Sequence, residues 1–513
     1  MTMTHSPIFP ILIPLIASIV LLIMGACKLQ WQRMVATVAA ALLLAASVNL
    51  LLLADQPAPL VYALGEWAAP YGIVLVADRL AALVVLTTAV ISTAALLYGC
   101  AGFDSKGRHF HAIFQLQLVG INGAFLTGDV FNLFVFFEIM LLASYILLAH
   151  GGGLDKSRAG FAYVTLNLAG SAVFLVALGL IYGTLGTLNL ADIAMQLKIV
   201  PASEASLVRL SGALLMTVFL LKAAVLSLSF WLPHAYSAAS MPVAALFAIM
   251  TKVGIVAILH VERIAFDGAT ITHDLLDNWL IAVALLTIVF ATFGVLSAQR
   301  LRLVVAWLIM ASAGLLLIVP AINDVKITAA GLYYLVQSAV VGAAFFMMAG
   351  LIENKRGHMG DVLIAKNWVS NNQLKLGYFV LAATAAGLPP FSGFIGKLML
   401  LAAVIESPAM PAIWGVILIT SLATTIALAK AGSLLFWDMP NTPAPASQDL
   451  LSANSRYQYF ATFGLIAISI LLVVFASCLA DFTQRTAEQL HTPASYIQTV
   501  IPRHADIQRG VRP

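Results

Sequence analysis

Four ionisable side chains, Glu138, Lys222, Lys252 and Lys397, stand well inside long apolar stretches of the sequence. A charge at the centre of a membrane helix costs about 2.5–3.5 kcal/mol on insertion scales, and such residues mark ion or proton pathways. Four of them oppose insertion by about 10 kcal/mol on that scale, so packing alone does not account for them. The chemistry they offer is proton transfer. Burial disfavours the ammonium form of a lysine and an approaching carboxylate favours it. A carboxylate–ammonium pair at about 4 Å, in an effective dielectric near 20, is worth on the order of 4 kcal/mol. Breaking and re-forming a Glu138 to Lys222 pair would therefore make the lysine release and recover a proton. In this reading Lys252, one helix later, receives it by way of water, His234, Ser237 and Thr251. Lys397 is the exit of the chain.

The elements that hold these residues are membrane spans. The chain has 513 residues, 62% hydrophobic and 9% charged, where soluble domains carry about 25% charged residues. The fold expected is an all-α polytopic membrane protein. At roughly 20 apolar residues per span, about fourteen transmembrane helices are expected: 8-26, 34-54, 73-99, 110-128, 130-149, 159-183, 207-230, 238-260, 279-297, 302-320, 328-352, 376-402, 412-436 and 459-480. The start MTMTHSPIFP has no basic n-region and no small-residue cleavage site, so the first span is expected to be retained. With the N-terminus outside, Lys28, Arg33, Lys106, Arg108, Lys156, Arg158, Arg300, Lys355, Arg356, Lys366, Lys375 and Arg456 fall on inside loops. Only Lys198, Arg209, Arg263 and Lys326 fall outside. That is the positive-inside bias, and it predicts both termini outside. A net charge of +4 spread over loops does not suggest nucleic acid. Cys27, Cys100 and Cys478 have no spacing for an iron–sulfur or zinc site, so no metal, cofactor or redox centre is expected.

Two apolar stretches are interrupted by proline. FWLPHAYSAASMP (230-242) carries Pro233 between Lys222 and Lys252, and AAGLPPFSGFIGK (385-397) carries Pro389 and Pro390 just before Lys397. Paired discontinuous helices, in two halves of inverted topology, are a common way to expose backbone groups at membrane depth. Residues 110-260 and 279-436 make two such five-helix repeats. They are preceded by helices 1-3 in 1-109 and followed by a loop, helix 14 and a polar tail in 437-513. The segment 188-200 reads as a short amphipathic helix at the membrane surface, 439-456 as a flexible inside loop, and the tail as a docking arm or a disordered end. Lys430 near an inner helix end reads as snorkelling. Asp78 and Arg79 read as an interfacial pair.

The block FHAIFQLQLVGINGAFLTGDVFNLFVFFEIMLLASYILLAHGG (110-152) resembles the D subunit of the Mrp-type, or Pha-type, multisubunit monovalent cation/proton antiporters. More distantly it is similar to the antiporter-like proton-pumping subunits of respiratory complex I and membrane-bound hydrogenases. LKAAVLSLSFWLPHAYSAASMPVAALFAIMTKVGIVAILHV (221-261), TAAGLPPFSGFIGKLML (384-400) and AKAGSLLFW (429-437) extend the match. The resemblance implies that Glu138 is the family's essential helix-five glutamate, Lys222 and Lys252 its helix-seven and helix-eight lysines, and Lys397 its broken-helix-twelve lysine. The chain departs from the superfamily on helix eleven, YYLVQSAVVGAAFFMMAG (333-350), where a histidine or lysine is often found. Gln337 and Gly342 stand in that region, so the middle of the wire would depend on water held by Tyr334, Gln337 and Ser338. Trp307 is a second departure, at a position where small or hydroxyl residues are usual.

The resemblance implies a proton-translocating subunit of a Na⁺ or K⁺/H⁺ antiporter in a bacterial cytoplasmic (inner) membrane, working with other subunits encoded alongside it. It implies a secondary transporter and not an enzyme, holding no cofactor. Two alternatives use the same residues: a proton-pumping subunit of a redox-driven complex, and a scaffold whose charges are static pairs.

Overall fold

In this computed structural model the chain is described over residues 5–269, 271–272, 275, 279–366, 368, 370–437 and 453–501. The inside loop expected at 439-456 lies mostly outside the described residues, as does the end of the tail. The chain forms helices almost throughout, because an apolar segment in lipid must satisfy its backbone within itself. In chain order the helices are α1 (Phe9–Ile23), α2 (Leu29–Ala54), α3 (Arg79–Gly99), α4 (Phe110–Leu126), α5 (Val130–Ala149), α6 (Leu154–Leu185), α7 (Leu190–Gln196), α8 (Ala205–Lys222), α9 (Trp231–Ala238) and α10 (Met241–His260). They continue as α11 (Trp279–Ser297), α12 (Leu301–Ile322), α13 (Val325–Arg356), α14 (Asn372–Ala386), α15 (Ser392–Ala403), α16 (Met410–Gly432), α17 (Ala453–Val474), α18 (Ala476–Leu490) and α19 (Ala494–Val500). A small antiparallel hairpin, β1 (Leu60–Ala63) and β2 (Val74–Ala77), joins α2 to α3.

Twelve helices among the described residues are long and apolar enough to cross a membrane, so the chain is a multi-pass membrane protein. A count of fourteen passes needs α4, of 17 residues, and the two-part helix α14–α15 as well. The centre of the molecule is α10 and α13, whose apolar windows are entirely buried. Between them they touch α3, α8, α12, α14, α15, α17 and α18.

Three boundaries differ from expectation for identifiable reasons. The span expected at 207-230 stops at Lys222, and the chain is irregular until α9. The segment 188-200 forms only the seven-residue α7, capped by the Asn189 side chain on the N–H groups of Ala191 and Asp192. Its buried residues pack on the helical segment Val261–Phe266 and on α19, so it is held by contacts within the protein. The last span ends at Val474, and the following segment is the amphipathic α18, buried through Thr483, Thr486, Ala487 and Leu490. Arg485 bonds Asp55, Gln489 donates to the carbonyls of Gln56 and Pro57, and the His491 ring meets the Thr328 hydroxyl at 3.0 Å. Residues 476–501 are therefore a folded strap and not a loose arm.

Other charges form staples at the ends of the helices. Asp78 caps α3 through the N–H of Ala81 and meets His260 at 3.0 Å, while Arg79 binds Asp55 at 2.8 Å. The adjacent pair read from the sequence thus turns to separate partners. Arg33 holds both oxygens of buried Asp104, at 2.6 and 2.8 Å, and His111 reaches the same carboxylate at 3.0 Å. Burial alone would raise the Asp104 carboxyl, but the Arg33 and His111 hydrogen bonds outweigh it and hold it at about 2. Cys100, Asp104 and His111 have ligand-type atoms within 4.8 Å of one another, a grouping that sequence spacing did not reveal. A dication there would share the carboxylate with a guanidinium, so the cluster reads as an ion-pair staple joining α2 to the start of α4.

Candidate functional site

Glu138 projects from the middle of α5, a helix started by Asp129, whose side chain accepts from the N–H of Asn132 at 2.8 Å. It is half-buried, and it accepts a short hydrogen bond from the Ser171 hydroxyl on α6. Lys222 is the last residue of α8 and 4% exposed, so it sits at a helix end and not in mid-helix. Its Nζ donates to Asn167 Oδ1 at 3.3 Å. Among the described residues no ion pair of 4.0 Å or less joins Glu138 to Lys222. The contact expected between them is replaced by two side chains of α6. Asn167 and Ser171, four residues apart on one face, were not singled out from the sequence. The signal was there, in the form of an amide and a hydroxyl one turn apart in an otherwise apolar helix.

The break after Lys222 carries no proline. Ala224 takes a left-handed φ of 55°, and the freed backbone groups find partners: Ala223 N–H on Phe219 O, Leu226 N–H on the Thr287 hydroxyl, and Leu221 O on Trp231 Nε1. Pro233 lies in the first turn of α9, where its missing N–H costs nothing. It therefore begins the next helix and does not make the break. Gly254 on α10 faces this point. A Cβ there would meet Ala223 N at 2.7 Å and Phe219 O at 2.9 Å, so only glycine lets α10 lie against the broken end of α8.

Lys252, fully buried on α10, donates to Ser312 Oγ on α12 at 2.8 Å. Thr251 is equally buried, but its hydroxyl is without a partner among the described residues. Lys397 lies on α15, after the break at residues 387–391 that contains Pro389 and Pro390. Gly387, at φ 85°, ends α14, and the Lys397 ammonium turns back to donate to Ala386 O at 2.8 Å and to Ser421 Oγ at 3.0 Å. Both broken-helix lysines thus sit at the C-terminal, electronegative end of a half-helix.

A cavity of about 60 Å³ lies between the second pair of lysines. Ser312, the partner of Lys252, lines one part of it and Lys397 another, with Tyr334, Gln337 and Ser338 among the walls. Gln337 is 2% exposed and its Oε1 has no partner among the described residues. At roughly 15 Å³ of occupied volume each, about four waters fit such a space. Trp307 is not on this wall; its ring fills the notch left by Gly294 and packs edge-on to Phe290 at 5.5 Å.

His234 and Ser237 are elsewhere. The structure does not set them between Lys222 and Lys252: His234 is exposed, and both line a cleft of about 850 Å³ with Lys156, Arg158 and Arg300. The Ser237 hydroxyl is tied to Pro233 O at 2.6 Å. The helix α9 turns Trp231, Leu232, Ala235 and Tyr236 inward and leaves His234 outside, so these two residues belong to a basic mouth and not with the buried lysines.

Fold and site together define a multi-pass membrane protein with two buried lysines, Lys222 and Lys252, and a half-buried glutamate and lysine, Glu138 and Lys397, within its helical core. Residues 127–426 match the family described as NADH:quinone oxidoreductase/Mrp antiporter, transmembrane. The chain is 35% identical to the D subunit of a probable K(+)/H(+) antiporter of Rhizobium meliloti, over 97% of each chain. It is 34% identical to the D subunit of the Na(+)/H(+) antiporter of Bacillus subtilis, over 97% of this chain and 100% of that one. Among solved structures it is similar to a chain of the Mrp complex from Dietzia sp., with a TM-score of 0.86 and 26% identity over 97% of this chain and all of that one. A chain of respiratory complex I from Thermus thermophilus shares the fold at a TM-score of 0.75 and 22% identity, over 94% and 99%. The chain belongs to the NADH:quinone oxidoreductase/Mrp antiporter membrane-subunit family.

Proposed function

We propose that this chain is the proton-translocating subunit of a multisubunit Na⁺ or K⁺/H⁺ antiporter, and that Glu138, Lys222, Lys252 and Lys397 form its proton path. The observation that supports the path best is the polar cavity between Ser312 and Lys397. It gives the stretch from Lys252 to Lys397 a place for water. Lys252 uses one of its three ammonium donors on Ser312, and Lys397 uses two on Ala386 and Ser421. Donors remain on both sides for a water chain, and Gln337 Oε1 offers an acceptor in its wall. Proton transfer from Lys252 to Lys397 then needs no histidine on α13. His234 and Ser237 serve the mouth of the cleft that holds Lys156, Arg158 and Arg300.

The two five-helix units, 110-260 and 279-436, are arranged as inverted repeats around this row, each contributing one broken helix. The basic loops face the cytoplasm of a bacterial cell, with both termini outside. The chain works in a hetero-oligomer with the other antiporter subunits, as a transporter and without an enzymatic step. The antiporter reading is preferred over a redox-driven pump because relatives above 30% identity are named antiporter subunits, whereas the likeness to complex I is one of fold.

The test uses inside-out vesicles containing the full set of co-encoded subunits. Addition of Na⁺, Li⁺ or K⁺ should collapse a respiration-made pH gradient, and Lys222→Ala should abolish the collapse at equal complex abundance. No response to any cation from an intact complex would overturn the antiporter reading. Loss of the complex itself in Lys222→Ala would favour the scaffold.

A further inference from the structure

The arrangement between α5, α6 and α8 is a bridge of a particular kind. Glu138 receives the Ser171 hydroxyl, and that same hydroxyl also reaches Asn167 O at 3.1 Å. Asn167 is fully buried, and its Nδ2 is spent on Tyr163 O at 2.9 Å. The amide is therefore oriented, with Oδ1 left to face Lys222. Among the described residues the ammonium donates to this oxygen alone. An amide oxygen accepts a hydrogen bond but does not take up and pass on a proton near neutral pH. Lys222 ends on the Asn167 side-chain oxygen and Glu138 on the Ser171 hydroxyl, whose second contact is the Asn167 backbone carbonyl, so the two charges meet α6 on separate atoms and this bridge cannot carry a proton.

Helix α6 is pressed into this position. The Leu221 side chain lies against Gly170, which puts α6 in direct contact with the end of α8 beside the Asn167–Lys222 bond. Tyr163, one turn before Asn167, is held by the Ser144 hydroxyl at 2.8 Å and stacks on Trp231 at 4.9 Å. Trp231 in turn donates to Leu221 O at the helix break. The α6 face is thus mechanically joined to the break whose last helical residue is Lys222.

We infer that Asn167 and Ser171 are positioning residues that form an insulating gate, holding Glu138 and Lys222 apart until α6 and the α8 break move relative to each other and allow direct contact. The inference rests on the proposed proton path. In this arrangement the gate holds them apart, with the ammonium on Asn167 and the carboxylate on Ser171. Removal of the amide lets the two charges close on each other and stay closed, and the lysine then keeps its proton.

The experiment treats the assembled complex in lipid nanodiscs with a membrane-permeant carbodiimide. The reagent activates a carboxyl, and an amine in contact then forms an amide while the reagent leaves as a urea. A Glu138–Lys222 amide, read by mass spectrometry of the digested chain, reports direct contact. Wild type should give little of it, and Asn167→Ala and Ser171→Ala should each give several-fold more. In vesicles both variants should lose about tenfold in exchange rate at saturating cation, with the half-saturating cation concentration unchanged. Asn167→Gln, which keeps an amide oxygen, should recover part of the rate, and Asn167→Leu should not. If Asn167→Ala fails to assemble, the near-isosteric Ser171→Ala carries the test. Unchanged cross-linking and unchanged rate in these variants, while Lys222→Ala is inactive, would overturn the gate and leave the path standing. A fully active Lys222→Ala would overturn both.

Discussion

Replacing Gln337 by leucine tests the hydrated link between Lys252 and Lys397. Leucine occupies nearly the volume of glutamine, so packing at this 2% exposed position on α13 is largely kept. The amide group is what disappears. A buried water is held by two to four hydrogen bonds, and one neutral hydrogen bond is worth about 1 to 1.5 kcal/mol. Its loss lowers the occupancy of a bridging water about five- to thirteen-fold, because about 1.36 kcal/mol is a factor of ten. If protons cross from Ser312 to Lys397 through the cavity, the exchange rate should fall by about tenfold, with no change in the cation concentration for half-maximal exchange. The assay is the fluorescence of a pH-gradient dye in inside-out vesicles, at matched complex abundance. Exchange at the wild-type rate in an intact Gln337→Leu complex would show that the cavity is not on the path.

Gly254→Ala should push a methyl group against the backbone at Ala223 and Phe219, destabilising the chain by about 1–3 kcal/mol. Thermal denaturation in detergent should show a lowered midpoint, together with reduced exchange because Lys222 is displaced. Ser312→Ala should strip buried Lys252 of the partner seen at 2.8 Å; a hydrogen bond to a charged group is worth about 1.5–3 kcal/mol. Exchange should therefore fall by about ten- to a hundred-fold, and Ser312→Thr should restore it in the same vesicle assay. His491 is held at about 4 mainly by burial, with the Arg263 charge adding to the effect and Asp267 and Asp324 opposing it. Because the folded value lies below the unfolded one near 6.5, docking of the strap is fully stable above about 6.5 and weakens as pH falls toward about 4. At pH 5 the loss should be about 1 kcal/mol after allowance for partial exposure. Hydrogen exchange over residues 476–501, corrected for intrinsic rates, should reveal it, and His491→Gln should remove the pH dependence.

Burial cost made the charged row legible in the sequence. A lone lysine or glutamate in twenty apolar residues is visible to anyone counting charges, and Pro389 with Pro390 marks a break on its face. The break after Lys222 was not legible, because Ala223, Ala224 and Val225 are good apolar residues and the signal lies in tertiary partners such as Thr287 and Trp231. Pro233 drew the reading downstream, although a proline in the first turn of a helix is at home there. The replacement of a Glu138–Lys222 contact by Asn167 and Ser171 depends on how α6 packs on α8, which sequence spacing does not express. His234 was misplaced for a related reason, since nearness in sequence to two buried lysines says nothing about which side of α9 faces them. The strap at 476–501 was hidden by its polarity, as its contacts run to loops hundreds of residues away.

That strap sets an order on how the molecule is made. Asp55 and Arg79 enter the membrane early in synthesis, whereas Arg485 and Gln489, which bind Asp55 and the start of α3, are translated some 400 residues later. Until then the joined ends of α2 and α3 have their mutual ion pair but not the strap that covers them, and the N-terminal end of α13 lacks the His491 contact to Thr328. Latching by α18 is thus a record that everything between has been threaded in. A ribosome that stops short leaves Asp55 without Arg485 and the start of α3 without Gln489.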